Sequence, residues 1–188
     1  MSDDKFFNED TLTTVQALWD NLSTQGASCP SQDHAPELLK EEEEILEFYK
    51  GWARCLNQEF DNDSESGKPF YAMDQVVTFD LFGFTGRGDF KEHFEKTFPY
   101  FSNATVDFKD LEVFATSKTS GYSTMVQRLR GKSKDGKDFQ MIYRVTGLLT
   151  KKNGKWQWVH EHVSFPVNMA TKEADFTSSI DPKDAFHF

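Results

Sequence analysis

The sequence predicts an α+β domain in which a curved antiparallel sheet wraps around one long helix, with an extra helix ahead of it. Three observations lead there. Residues 36–60 carry Ile45, Phe48, Tyr49, Trp52, Leu56 and Phe60 at helical spacing. Beyond residue 103 the chain divides into four strand-length segments, with Asp135-Gly136 and Asn153-Gly154, dipeptides favoured in tight hairpins, at two of the breaks. Finally, 19 Phe, 5 Tyr and 4 Trp make up 15% of the 188 residues. So much ring surface in an otherwise polar chain needs an enclosed aromatic interior, filled as core or open as a lined ligand cavity.

The elements follow in order. Residues 8–25 place Leu12, Val15, Leu18, Trp19 and Leu22 on one stripe that ends at Gly26, which predicts an amphipathic helix. A polar connector with two prolines leads to the long helix, whose acids Glu37 and Glu41 to Glu44 suit its positive end and read as a solvated first turn. Val76 to Phe82 is a short strand. The glycines of 83–88 have the wrong spacing for a phosphate-binding loop. Asp89 and Glu92 form a capping box for a short helix with Phe90, Phe94 and Phe98 on one face, ended by Pro99. Segments 104–117, 121–133, 138–151 and 155–166 are the strands of a meander. The domain plan is an N-terminal helical extension over 1–36, the main domain over 37–166 and a tail over 167–188.

Charge and composition narrow the function. With 31 acidic and 21 basic residues the net charge is −10, which repels phosphate backbones and anionic membrane surfaces, so neither nucleic acid nor membrane is an expected partner. Two cysteines are too few for a disulfide scaffold, and no apolar run approaches the ~20 residues of a membrane span. The acidic start, Met1-Ser-Asp-Asp-Lys5, lacks the layout of a signal peptide, and a cytoplasmic protein is expected.

Taking both hairpins as two-residue turns fixes a register. Leu148 then faces Val159, Thr146 faces Glu161, Arg144 faces Val163, and Gln127 faces Arg144. This gathers Met125, Gln127, Arg144, Thr146, Val159 and Glu161 on one sheet face and leaves His160 and His162 on the other. Arg144 and Glu161 become either a polar site or a structural ion pair. The two histidines lack a third ligand nearby and read as structural or interface groups, so no metal is expected. The second face is also too apolar for plain solvent surface and is expected to meet a partner subunit or the tail, with a homodimer through it as the prediction.

Arg144-Val-Thr146, then Asn153-Gly-Lys-Trp156 and Val159-His-Glu-His162-Val-Ser164-Phe-Pro166, resembles the last hairpin of SnoaL-like proteins, in the nuclear-transport-factor-two and ketosteroid-isomerase superfamily. The same stretch is similar to the association domain of calcium/calmodulin-dependent protein kinase. The resemblance covers about residues 40–166 and implies the cone-shaped α+β fold. It leaves function open among isomerases, cyclases, dehydratases and non-catalytic assembly modules. Val76 to Gly83 is similar to the segment that carries the base aspartate of the isomerases, which implies that role for Asp80, with Leu81 where the family has proline. Tyr49 is on the helix that supplies the oxyanion tyrosine, although spacing would prefer Trp52; Val145 or Thr146 replaces the sheet aspartate. By similarity to the polyketide cyclases, Glu161 is near the position of their catalytic aspartate.

The chemistry implied is cofactor-independent proton transfer on a small apolar carbonyl compound. Asp80 or Glu161 is the base, and Arg144 or Tyr49 stabilises the developing oxyanion. Trp52, Phe79, Phe94, Met125, Gln127, Thr146 and Val159 are the expected substrate contacts. The alternative is a non-catalytic ligand-binding or oligomerisation module.

Overall fold

A computed structural model describes residues 6–24, 34–59, 64–81, 83, 85–87 and 101–185. Helix α1 spans Val15–Thr24. It starts later than the apolar stripe suggests because the Asn8 side chain accepts the N–H groups of Asp10 and Thr11 and holds a turn there. Thr14 then caps the helix through the N–H of Ala17 at 3.1 Å. Leu12, Val15 and Leu18 are buried beneath it.

Helix α2 spans Leu39–Arg54, entered through a 3-10 turn at Pro36–Leu38 and extended by a π turn at Cys55–Glu59. Its buried stripe is Ile45, Leu46, Phe48, Tyr49, Trp52 and Ala53. The acid run is not a solvated turn. Glu43 accepts the Val15 N–H at 3.0 Å, Glu44 pairs with Lys151 and accepts Trp156 Nε1 at 3.1 Å, and Glu42 is 1% exposed. His34 accounts for Glu42: its Nδ1 is 2.9 Å from Glu42 Oε1 and its Nε2 is 3.0 Å from Glu112 Oε1. The imidazole stacks on Phe114 and lies against Trp19, so one side chain ties α1, α2 and the sheet together.

Six strands form the main sheet: β1 (Val77–Phe79), β2 (Thr85–Arg87), β3 (Phe101–Ser117), β4 (Ser120–Ser133), β5 (Asp138–Lys152) and β6 (Lys155–Ser164). Their order is β2-β1-β6-β5-β4-β3, antiparallel except where β1 runs parallel to β6. Register shifts in β3, with Asn103 and Asp110 at φ 48° and 52°, bend the sheet around the helices. The predicted short helix with Phe90, Phe94 and Phe98 lies outside the described residues. No helix among the described residues is long and apolar enough to cross a membrane.

Two details displace the predicted register. Asn153 and Gly154, at φ 52° and 77°, form the two-residue turn and pair Lys152 with Lys155 as predicted. The Asp135-Gly136 turn is one residue longer. Ser133 accepts the Gly136 N–H and donates its own N–H to Lys137, so Lys132 pairs with Asp138 and Gln127 faces Tyr143 rather than Arg144. Then β6 bulges at Val159: Leu149 pairs with Trp158, but Leu148 pairs with His160 and Gly147 with Glu161. Because strand side chains alternate with period two, each one-residue slip moves a whole set to the opposite face.

The core fills the cone around Trp158, which is 1% exposed. Phe48 and Trp52 meet its ring edge-to-face at centroid distances of 4.7 and 5.2 Å, and Tyr71 tilts against it at 4.9 Å. Such contacts add about 0.5–1.5 kcal/mol each beyond area burial. The tail forms a small hairpin of β7 (Val167–Asn168) and β8 (Glu173–Ala174). It then docks on β5 beyond the end of β6, where Phe176 accepts the Ile142 N–H at 2.8 Å and Ser178 Oγ donates to the Ile142 carbonyl at 2.7 Å. A last turn, α3, spans Pro182–Ala185.

Candidate active site

The inner face of the sheet carries an acidic group with few polar partners. Gly147 pairs with Glu161 on one side, and Thr78 of β1 pairs with it on the other. Thr78 is buried and Phe79 is exposed, so alternation returns Asp80, which is partly buried, to the inner side. Tyr71 reaches Glu161 from the turn before β1, its hydroxyl donating to Oε2 at 3.4 Å. A parallel bridge to Trp158 and the 2.9 Å bond from Ala72 N–H to the Trp158 carbonyl hold Tyr71 there.

These surroundings push the Glu161 carboxyl up to about 7 from its usual 4.5. Desolvation is the main cause; the charge of Asp80 adds to it, and the Tyr71 bond opposes it. Burial and the Glu161 charge raise the phenols of Tyr71 and Tyr143. Tyr143 is buried on the same inner face and accepts a hydrogen bond from Gln127 Nε2 at 2.8 Å. The arrangement therefore offers a carboxylate that ionises near neutral pH, a second carboxylate close enough to affect it and two protonated phenols.

Several sequence-predicted residues are elsewhere. Arg144 is exposed on the outer face, between Val126 and Ser164, because the bulge sets it opposite in phase to Glu161. No Arg144–Glu161 pair exists. Thr146 is also exposed, facing His162. Phe79 is 41% exposed and rests edge-on against His160 and His162 on the outer side. Tyr49 is buried, but its hydroxyl bonds Ser123 Oγ and accepts Trp158 Nε1 at 3.1 Å, so it belongs to a core hydrogen-bond triad. Burial is the main reason its phenol is raised. Trp52 packs on Phe70, Tyr71 and Trp158, and Met125 is buried opposite Val145. Val159 occupies the bulge and is partly buried. Phe94 lies outside the described residues.

Sequence reasoning missed Tyr71 and Tyr143. Tyr143 would have joined Met125 and Gln127 on one face had Ser133-Lys-Asp-Gly136 been read as a turn one residue longer. Tyr71 follows a 3-10 stretch, Ser64–Phe70, that has no periodic signal. An open groove of about 490 Å³ lies between the ends of β3, β4 and β5. It is some eight residues, or ~25 Å, along β5 from Gly147. Its cations are already engaged, Arg130 with Asp107 and Lys132 with Asp138.

The SnoaL-like domain model matches residues 68–168, more than half of the chain and the whole of β1 to β6. The chain belongs to the SnoaL-like domain family. Among solved structures, this SnoaL-like chain is similar to a nuclear transport factor 2-like protein of unknown function from Pseudomonas putida, with TM-score 0.60 and 24% identity over 76% of this chain and 97% of that one. A ketosteroid isomerase-like protein from Erwinia carotovora atroseptica has TM-score 0.56 and 19% identity, over 66% and 95% of the two chains. The association domain of Caenorhabditis elegans CaMKII has TM-score 0.53 and 14% identity, over 69% and 99%. At these identities the likeness is one of fold. No curated protein sequence matches the chain.

Proposed function

We propose that this SnoaL-like protein is a cofactor-independent enzyme of the isomerase or cyclase type, moving a proton on a small, apolar carbonyl compound. The observation that carries this is Glu161, a carboxyl on the inner face whose one hydrogen bond among the described residues is the 3.4 Å contact from Tyr71, and whose pKa is raised to about 7. Such a group is strong enough to remove a proton α to a carbonyl and releases it again near neutral pH. Asp80 keeps its place as a second carboxylate, acting on Glu161 through its charge.

Exchange of α-protons tests the reading without knowledge of the natural substrate. In D2O at pH 8, the protein should accelerate deuterium incorporation into the methyl group of acetophenone, followed by NMR. Glu161→Gln should lower that rate by about 10²- to 10⁴-fold. Exchange no faster than buffer, or unchanged in Glu161→Gln, would sink the enzyme reading.

A second reading, an assembly module, is favoured by the exposed outer face with Leu148 and Phe79 and by the fold likeness to the CaMKII association domain. Homodimerisation through that face is compatible with either reading.

A further inference from the structure

We propose that Tyr143 holds the substrate's oxygen and that Gln127 acts through it as a positioning residue. This deepens the proton-transfer reading and rests on it. Gln127 and Tyr143 are direct partners across β4 and β5, in the middle of the sheet, and both point inward. Their bond runs from the amide to the phenol, Gln127 Nε2 to Tyr143 Oη at 2.8 Å. A phenol has one proton. With its oxygen accepting from Gln127, that proton remains to be donated, and among the described residues nothing takes it.

Tyr71 provides the contrast. Its hydroxyl donates to Glu161, so its proton is committed to the base. The two buried phenols thus have different tasks, one restraining the carboxylate and the other available to a guest. Tyr143 and Glu161 are two inward positions apart along the strand pairing, Val145 with Val163 lying between, and the Glu161 charge is felt at the phenol. Burial keeps that phenol protonated.

The step balances without an added reactant. Glu161 takes the α-proton as the C–H bond breaks, the electron pair moves onto the carbonyl oxygen, and the Tyr143 hydrogen bond strengthens as charge gathers there. Return of the proton from Glu161 to a carbon or the oxygen completes an isomerisation or exchange. Gln127 never meets the substrate in this scheme. It fixes the direction of the phenol O–H, so its loss should affect the hydrogen bond more than the fit of the ring.

Infrared difference spectroscopy of acetophenone carrying a ¹³C carbonyl, bound to the full chain, provides the test. The wild-type protein should show a carbonyl band shifted to lower wavenumber. Tyr143→Phe should abolish the shift. Gln127→Leu should leave the ketone bound, about fivefold more weakly on the scale of one net hydrogen bond, with a broader band of smaller shift. A role for Gln127 in packing alone predicts weaker binding with an unaltered band, and that result would overturn the positioning role. No shifted band in the wild-type protein, whether the ketone is unbound or bound without the hydrogen bond, overturns the whole assignment. α-Proton exchange on the same samples separates the two proposals. Exchange that depends on Glu161 with an unshifted band leaves the base and removes Tyr143. A Tyr143-dependent shift with no such exchange leaves an oxygen-binding site and removes the base.

Discussion

Glu161→Gln should stabilise the protein above neutral pH and leave its stability nearly unchanged in acid. The substitution keeps shape and removes only the ability to ionise. Glu161 has its pKa raised from 4.5 to about 7, which at about 1.4 kcal/mol per tenfold in proton affinity corresponds to about 3 kcal/mol. In the window between those values the folded protein holds a proton that the unfolded chain releases, so stability falls as pH rises through it. Below 4.5 the carboxyl is neutral in both states and costs nothing. Above 7 it is charged in both, and the full desolvation cost falls on the fold. Thermal melts of wild type and variant at pH 4 and pH 8.5 read the difference. At about 2–4 °C per kcal/mol for a chain of this size, the variant should melt roughly 6–12 °C higher at pH 8.5 and within about 2 °C at pH 4. Other acid-induced losses act on both proteins and cancel. Equal differences at the two pH values, or a lower melting temperature at pH 8.5, would refute a desolvated Glu161.

Two further outcomes follow from other parts of the molecule. His34→Ala removes the ring that faces both Glu42 and Glu112 and leaves the Glu42 carboxylate, 1% exposed, without its imidazole; chemical denaturation should show a loss of about 3 kcal/mol or more, and a loss below 1 kcal/mol would show that the bridge does not hold the extension. For the outer face, sedimentation at micromolar concentration should give twice the 21.7 kDa chain mass, with Leu148→Arg shifting it to monomer; a monomeric wild type would refute assembly through that face.

The fold was legible wherever the signal is local. Helical spacing marked α2 to within a few residues, because Ile45, Phe48, Tyr49 and Trp52 must share one buried stripe. The Asn153-Gly154 turn was legible because both residues adopt positive φ, which few other dipeptides accept. The sheet faces were harder to read. Asp-Gly serves a two-residue turn and a turn one residue longer equally well, and only the longer one puts Tyr143 on the face of Met125 and Gln127. The β6 bulge leaves a fainter trace still. Trp156 and Trp158 are inward at even positions, whereas Glu161 is inward at an odd one, so the phase must break between them. From side chains alone, an inward Val159 followed by an outward His160 explains the run just as well. Glu161 entered as a candidate through a register that paired it with Arg144 and through resemblance to the cyclases, while its phenol neighbours depended on long-range register and could not be read from spacing.

Two acidic side chains, Glu42 and Glu161, differ in a way that separates structure from chemistry. Glu42 has the His34 ring at 2.9 Å and the Ala115 N–H at 3.3 Å, both on Oε1, so one of its two oxygens is compensated where it joins three elements. Glu161 has a phenol at 3.4 Å, another carboxylate whose charge raises it and, with Arg144 turned outward, no basic side chain among the described residues to offset it. A cost of about 3 kcal/mol is a large fraction of the roughly 5–15 kcal/mol that holds a domain together. Glutamine would fill the same volume without it. A scaffold whose only task is to assemble gains nothing from that carboxylate, whereas a base must be poorly solvated to work near neutral pH. The uncompensated Glu161, with the Tyr143 phenol on the same inner face, therefore weighs toward catalysis.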